Sequence, residues 1–227
     1  MSWWQRAGAE SGGVAIAPSI LSADAGRLSE ECAAVAAAGA DLLHVDIMDG
    51  HFVPNLTFGP HVVKSLGRDC ELLQDCHLMV TAPQDYAPAF MKAGAGCVSF
   101  HYEVDLDHGA LLRQIREVGT RSGLAVNPST PLDDRLRRLL PECDLFLVMS
   151  VHPGFSGQRF DERALAKLET LARWRETDGL DFVLEVDGGI DAETAPRARA
   201  AGAQILVSGS TLFRSDDYAA TVSVLRG

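Results

Sequence analysis

Three times in this chain a small triplet with a central glycine runs straight into an apolar stretch. Ala38-Gly39-Ala40 precedes LLHVDI, Ala93-Gly94-Ala95 precedes CVSFH, and Ala201-Gly202-Ala203 precedes QILVSG. Each triplet follows an alanine-rich segment that reads as a helix. Glycine there supplies a left-handed cap, and the apolar run after it reads as a buried parallel strand. The glycines are separated by 55 and 108 residues, close to two and four copies of a βα unit of about 27 residues. Eight such units need roughly 216 residues. The chain has 227, so the spacing predicts an α/β fold: a single-domain (β/α)8 TIM barrel with few insertions.

A pass along the chain places strands near Ile16–Leu21, Leu42–Met48, Leu72–Val80, Cys97–His101, Leu124–Asn127, Leu145–Val151, Phe182–Asp187 and Ile205–Ser208. Helical patterns lie between them at Leu28–Ala38, Gln84–Lys92, Ala110–Val118, Leu132–Leu139, Arg163–Trp174 and Glu193–Ala200. Alternation of this kind means a parallel sheet covered by helices. A doubly wound open sheet competes, but it has no need of eight units, and the first strand lacks a GxGxxG turn. The barrel domain is expected over residues 14–227, with 1–13 a flexible leader whose Trp3 and Trp4 pack on a surface.

Composition narrows the function. Apolar residues make up 47%, the usual share for a globular chain rather than a disordered or collagenous one. Twenty basic against 31 acidic side chains give a net charge of -11, which argues against nucleic acid as a partner. No apolar run approaches the length that spans a bilayer, and the leader lacks the apolar core of a secretory signal. Cys32, Cys70, Cys76, Cys97 and Cys143 form an odd set without a CxxC pair. A reducing, cytoplasmic setting is therefore expected, and a thiolate metal site is not.

Catalytic groups of such barrels sit where strands end and βα loops begin. The strand ends here carry Ser19, His44, Asp46, His77, His101, Asn127, Ser150, His152, Asp187 and Ser208. Buried and unpaired, each would cost several kcal/mol, so they should be paired, metal-bound or facing a solvated mouth. His44 and Asp46 share one face of their strand because side chains alternate. With His77 and Asp187 they make a set of two imidazoles and two carboxylates, suited to one divalent ion: zinc, iron(II), manganese or cobalt. A hydrogen-bonded polar plug is the alternative. Asp46 and Asp187 come from strands three steps apart around a ring of eight, so they face one another across the mouth. Inversion of a stereocentre needs one group to remove a proton and another to deliver one to the opposite face. A divalent ion on a carbonyl oxygen would stabilise the developing enolate. An inverting glycosidase would also use two separated carboxylates, but without need of two histidines.

Three glycine-bearing loops suit phosphate: Gly154-Phe155-Ser156-Gly157 after strand six, Gly188-Gly189 after strand seven, and Gly209-Ser210 after strand eight. Glycine lets backbone N–H groups approach an oxyanion closely, and the loops after strands seven and eight are the usual phosphate position in such barrels.

The segments IAPSILSAD (Ile16–Asp24), HVDIMDGHFVPNLTFG (His44–Gly59), HLMV (His77–Val80), NPSTP (Asn127–Pro131), MSVHPGFSGQ (Met149–Gln158), VDGGI (Val186–Ile190) and VSGS (Val207–Ser210) closely resemble the ribulose-phosphate 3-epimerases. The resemblance implies a (β/α)8 barrel with one divalent metal that interconverts D-ribulose 5-phosphate and D-xylulose 5-phosphate in the pentose phosphate pathway. It implies His44, Asp46, His77 and Asp187 as metal ligands, with Asp46 and Asp187 doubling as the acid/base pair through a cis-enediolate. It places Ser19 and His77 at the sugar end of the substrate, and the glycine loops at its phosphate end. Met48, Met79 and Met149 match methionines lining the family's pocket. A homo-oligomer is expected. HLMVTAPQDY resembles the D-allulose-6-phosphate 3-epimerases equally well, so substrate length stays open. Within the strand-six loop, His152 and Ser156 depart from the family pattern. A metal-dependent hydrolase, a phosphate-binding barrel of another pathway and a non-catalytic sugar-phosphate binder are the remaining alternatives.

Overall fold

The computed structural model describes residues 14–227, so the leader and its two tryptophans lie outside the described residues. Eight parallel strands form one sheet: β1 (Ala15–Pro18), β2 (Leu42–Met48), β3 (Leu73–Met79), β4 (Cys97–His101), β5 (Arg121–Val126), β6 (Leu145–Met149), β7 (Val183–Asp187) and β8 (Ile205–Ser208). Their order is β1-β8-β7-β6-β5-β4-β3-β2. A parallel bridge between Ser19 and His44 joins the two ends. Asp41 strengthens the seam, its N–H donating to Ile16 O and its carboxylate accepting from Ile16 N–H at 2.8 Å. The sheet is a barrel, and the chain is a (β/α)8 protein.

Around it run α1 (Leu28–Ala37), α2 (Pro60–Asp69), α3 (Pro83–Ala93), α4 (His108–Glu117), α5 (Asp134–Arg137), α6 (Arg163–Asp178), α7 (Thr194–Ala200), α8 (Ser210–Phe213) and α9 (Tyr218–Arg226). The repeat that led to the fold does what its chemistry requires: Gly39, Gly94 and Gly202 take φ of 92°, 103° and 107°, dihedrals open mainly to glycine. Expectation and structure differ at several ends. The first strand stops at Pro18 and passes into a 3₁₀ turn at Ile20–Ser22. The sixth stops at Met149, because Ser150 turns its hydroxyl onto the carbonyls of Asp187 and Gly188. The fifth begins earlier, at Arg121, and α5 shrinks to one turn before the 3₁₀ turn Leu140–Glu142. Helices α2, α8 and α9 are not among the helical patterns read from the sequence, although Pro60 at the first position of α2 is a start signal.

Alternation along the strands divides the interior in two. Outward residues such as Leu78, Phe100, Phe146 and Val186 pack under the helices with Phe90, Leu112 and Ile115. Inward residues Ala15, Leu42, Cys97, Leu145 and Ile205 close the barrel from within. Each fully buried large side chain contributes about 1.5–3 kcal/mol. Above that apolar floor the inward positions turn polar. Register puts Asp46 beside His77 on β2 and β3, and Met149 beside Asp187 on β6 and β7.

Candidate active site

Strand parity delivers the site. His44, Asp46 and Met48 follow one another on the inner face of β2, Asp75, His77 and Met79 on β3, and Glu185 and Asp187 on β7. One ligand-capable atom from each of His44, Asp46, His77 and Asp187 lies within 4.8 Å of all the others. Asp46 Oδ1 is the hub, 3.4 Å from His44 Nε2 and 3.3 Å from His77 Nδ1. The Ser19 hydroxyl donates to Asp46 Oδ2 at 2.6 Å and fixes the carboxylate plane. The four groups singled out in the sequence therefore meet at one point.

Electrostatics at that point are strained without a cation. Loss of hydration and the nearby Asp46 charge push the Asp187 carboxyl up to about 7. Burial brings the His77 imidazole down to about 4, which keeps it neutral. Burial also works against an ionised Asp46, yet His44 and His77 hold its carboxyl below the ordinary range. His44 Nε2 is buried and makes no hydrogen bond. Two imidazole lone pairs, two carboxylates repelling across a few ångströms and an orphaned buried nitrogen are the donor set a divalent ion satisfies. The residues present fit such an ion.

Several carboxylates that the sequence reading passed over stand behind these residues. Asp75 Oδ2 lies 2.9 Å from His44 Nδ1, and Glu185 Oε1 lies 3.6 Å from the same nitrogen. Burial and the Asp75 charge push the Glu185 carboxyl well above the carboxylate range. Glu103 sits 3.0 Å from His101 Nδ1, and His101 Nε2 is 2.9 Å from His77 Nε2. The signal was available: Asp75 is two residues from His77, Glu185 two from Asp187, and Glu103 two from His101, the spacing that linked His44 to Asp46.

The mouth opens as a pocket whose lining includes Asp46 and Asp187. Met48, Met79 and Met149 line it, as do Ser19 and the loops bearing Gly154 to Gly157, Gly188-Gly189 and Gly209-Ser210. The glycines of the strand-seven loop are sterically required. A Cβ on Gly189 would stand 2.4 Å from the Phe160 backbone nitrogen, and one on Gly188 would stand 2.6 Å from the Val151 side chain. Helix α8 starts at Ser210 beside the cavity, and the first amides of a helix lack intrahelical acceptors. Asn55 donates to Gly154 O at 2.8 Å, tying the loop after β2 to the loop after β6.

Other strand-end residues do not join the cluster. The Ser150 and Ser208 hydroxyls hold carbonyls of the strand-seven loop. Asn127 is engaged through its backbone, by Glu103 and by Lys167. His152 and Ser156 are exposed, with the His152 carbonyl accepting from Gln158. Phe52 packs on the His101 ring, centroids 4.6 Å apart. All five cysteines are free and buried, and Cys76 faces the helices rather than the site.

A parallel barrel with an imidazole–carboxylate cluster and glycine-bearing loops around one mouth has the layout of an enzyme site. The profile of the ribulose-phosphate 3 epimerase family matches residues 15–213. The chain is 47% identical over 215 residues to a ribulose-phosphate 3-epimerase of Mycobacterium bovis, covering 95% of this chain and 93% of that one. It is 45% identical to the protein of that name from Synechocystis, over 94% of this chain and 93% of that one. For the Bacillus subtilis protein of that name, identity is 41% over 94% of this chain and 99% of the other. The chain belongs to the ribulose-phosphate 3-epimerase family and is an isomerase. Among solved structures, 3-keto-L-gulonate-6-phosphate decarboxylase from Vibrio cholerae superposes with a TM-score of 0.68 at 13% identity, covering 94% of each chain. At that identity the likeness concerns the barrel alone. Among the described residues no helix is long and apolar enough to cross a membrane.

Proposed function

We propose that the protein epimerises D-ribulose 5-phosphate at C3 to D-xylulose 5-phosphate, with Asp46 and Asp187 as the proton-transfer pair. The supporting observation is the meeting of these two carboxylates with His44 and His77 within 4.8 Å. His44, Asp46, His77 and Asp187 would hold one divalent ion, zinc, iron(II), manganese or cobalt. When bound, such an ion supplies electrostatic stabilisation of negative charge developing on the substrate's oxygens.

The chain's own residues account for the rest. Asp46 and Asp187 approach the substrate from β2 and β7, one on each face of C3. One takes the C3 proton to leave a cis-enediolate, and the other returns a proton to the opposite face; the direction of reaction sets which acts first. Ser19 keeps Asp46 in plane. The methionines on β2, β3 and β6 give the middle of the substrate an apolar, water-poor wall. Backbone amides around Gly157, Gly188-Gly189 and Gly209-Ser210 receive the phosphate, which explains how a chain of net charge -11 holds an anion. A homo-oligomer in the cytoplasm remains part of this reading.

The test is turnover in heavy water. The wild type should place one solvent deuteron at C3 of the product, and Asp187→Asn should lose about 10²–10⁴-fold in kcat with its barrel intact. Product without deuterium at C3, or near wild-type turnover by the variant, would refute the two-carboxylate mechanism.

A further inference from the structure

His77 is fully buried, and its two ring nitrogens face different partners. Nδ1 points into the cluster, 3.3 Å from Asp46 Oδ1, while Nε2 lies 2.9 Å from Nε2 of His101. His101 is also fully buried, and its far nitrogen, Nδ1, lies 3.0 Å from Glu103 Oε2. Glu103 Oε1 accepts the Asn127 N–H at 2.7 Å and the Thr130 hydroxyl. Burial alone would raise the Glu103 carboxyl, but these partners hold it near 2. Phe52 covers the outer face of His101, with ring centroids 4.6 Å apart.

Proton counting along this row leaves one arrangement for neutral rings. A carboxylate has no proton to give, so His101 Nδ1 is the donor to Glu103. A neutral imidazole carries a single N–H, which makes His101 Nε2 an acceptor. The nitrogen facing it, Nε2 of His77, must then donate. The lone pair of His77 is left on Nδ1, aimed at Asp46 and at the point where the ligand-capable atoms converge. His44 reaches the corresponding state by a shorter route, through Asp75 directly.

We infer that His101 and Glu103 are positioning residues: together they fix the tautomer and ring plane of His77 so that its Nδ1 lone pair faces the cation position. This inference rests on the metal-binding reading of the site given above. Neither residue is one of the four that converge; His101 meets them only through His77, and Glu103 only through His101. An imidazole ligand whose other nitrogen is held by a hydrogen-bonded row ending in a carboxylate is a more basic and better oriented donor. The unusual feature here is that a second imidazole relays the effect. A purely structural role competes with this one, since Glu103 also fastens the loop after β5.

The two roles part in a binding experiment that needs no substrate. Zinc alone is titrated calorimetrically into protein stripped of divalent ions. The variants are His101→Leu, which removes the acceptor, His101→Gln, whose amide oxygen can still accept the His77 N–H, and Glu103→Gln. Zinc affinity should fall about 10–100-fold in H101L and about tenfold in E103Q, but stay within about threefold in H101Q. Equal affinity in the wild type and H101L overturns the inference while leaving the site reading intact. So does H101Q binding as weakly as H101L, since shape rather than the acceptor would then be what matters. Should H101L fail to fold, Glu103→Leu, which removes the acceptor of the His101 N–H, decides: wild-type affinity there refutes the relay. Failure of the wild type to bind zinc, manganese, cobalt or iron(II) would overturn both the relay and the metal reading.

Discussion

Replacing Asp187 by asparagine should abolish epimerisation and yet make the metal-free protein more stable. The Asp187 carboxyl rises from its ordinary 3.8 to about 7, through burial and then repulsion by Asp46. A carboxyl raised in the folded state gives stability that is complete below the unfolded value and is lost as pH climbs through the folded one. The wild type therefore sheds stability between about pH 4 and pH 7, and the loss is complete above that. At 1.36 kcal/mol per pH unit the full displacement corresponds to about 4 kcal/mol. Water at the open mouth screens the repulsion, so about 2 kcal/mol is the expected gain at pH 8. For a chain of this size that is about 4–8 °C in Tm. At pH 4 the two proteins should melt together. Adding a divalent ion should reverse the order, because a ligand at 100 times its Kd contributes about 2.7 kcal/mol to whichever protein binds it. Thermal melts of stripped wild type and D187N at pH 4 and pH 8 provide the assay. A variant that melts lower at pH 8, or by the same difference at both pH values, would refute the view that Asp46 and Asp187 repel each other in an unfilled site.

Exhaustive chelation should remove activity, and one equivalent of a divalent ion should restore it; activity in demonstrably metal-free protein would exclude the cluster as a required metal site. Ser19→Ala deletes the 2.6 Å hydrogen bond to Asp46, a charge-assisted contact of about 1.5–3 kcal/mol, so kcat should fall about 10–100-fold; an unchanged kcat would show that Asp46 needs no such support. Gly189→Ala forces a side chain onto φ 60° and against the Phe160 backbone. The strain should cost about 1–3 kcal/mol and raise KM through the phosphate loop, which steady-state kinetics and melting on one sample can check. On metal-loaded enzyme, kcat/KM for D-ribulose 5-phosphate should exceed that for D-allulose 6-phosphate, and the reverse order would reassign the substrate.

Local chemistry made much of this protein legible from its sequence. Gly39, Gly94 and Gly202 announced helix ends because positive φ is open mainly to glycine, and their spacing counted out the βα units. His44 and Asp46 could be put on one face because strand side chains alternate, and β2, β4 and β8 begin and end where the apolar runs did. Other features are set by neighbours distant in the chain. The sixth strand ends at Met149 because Ser150 finds carbonyls of the strand-seven loop, a contact with no local trace. That His44, Asp46, His77 and Asp187 meet within a few ångströms depends on barrel closure and register, which no single segment contains. The Asp187 carboxyl near 7 arises only once Asp46 is brought from another strand and the carboxyl loses part of its hydration. The row from Glu103 through His101 to His77 likewise exists only in the folded barrel. Periodicity and residue type act over a few residues, so the sequence alone could settle the eight strands and their order, and most of the helices between them. Proton placement and charge repulsion act through space, so only the closed barrel could decide them.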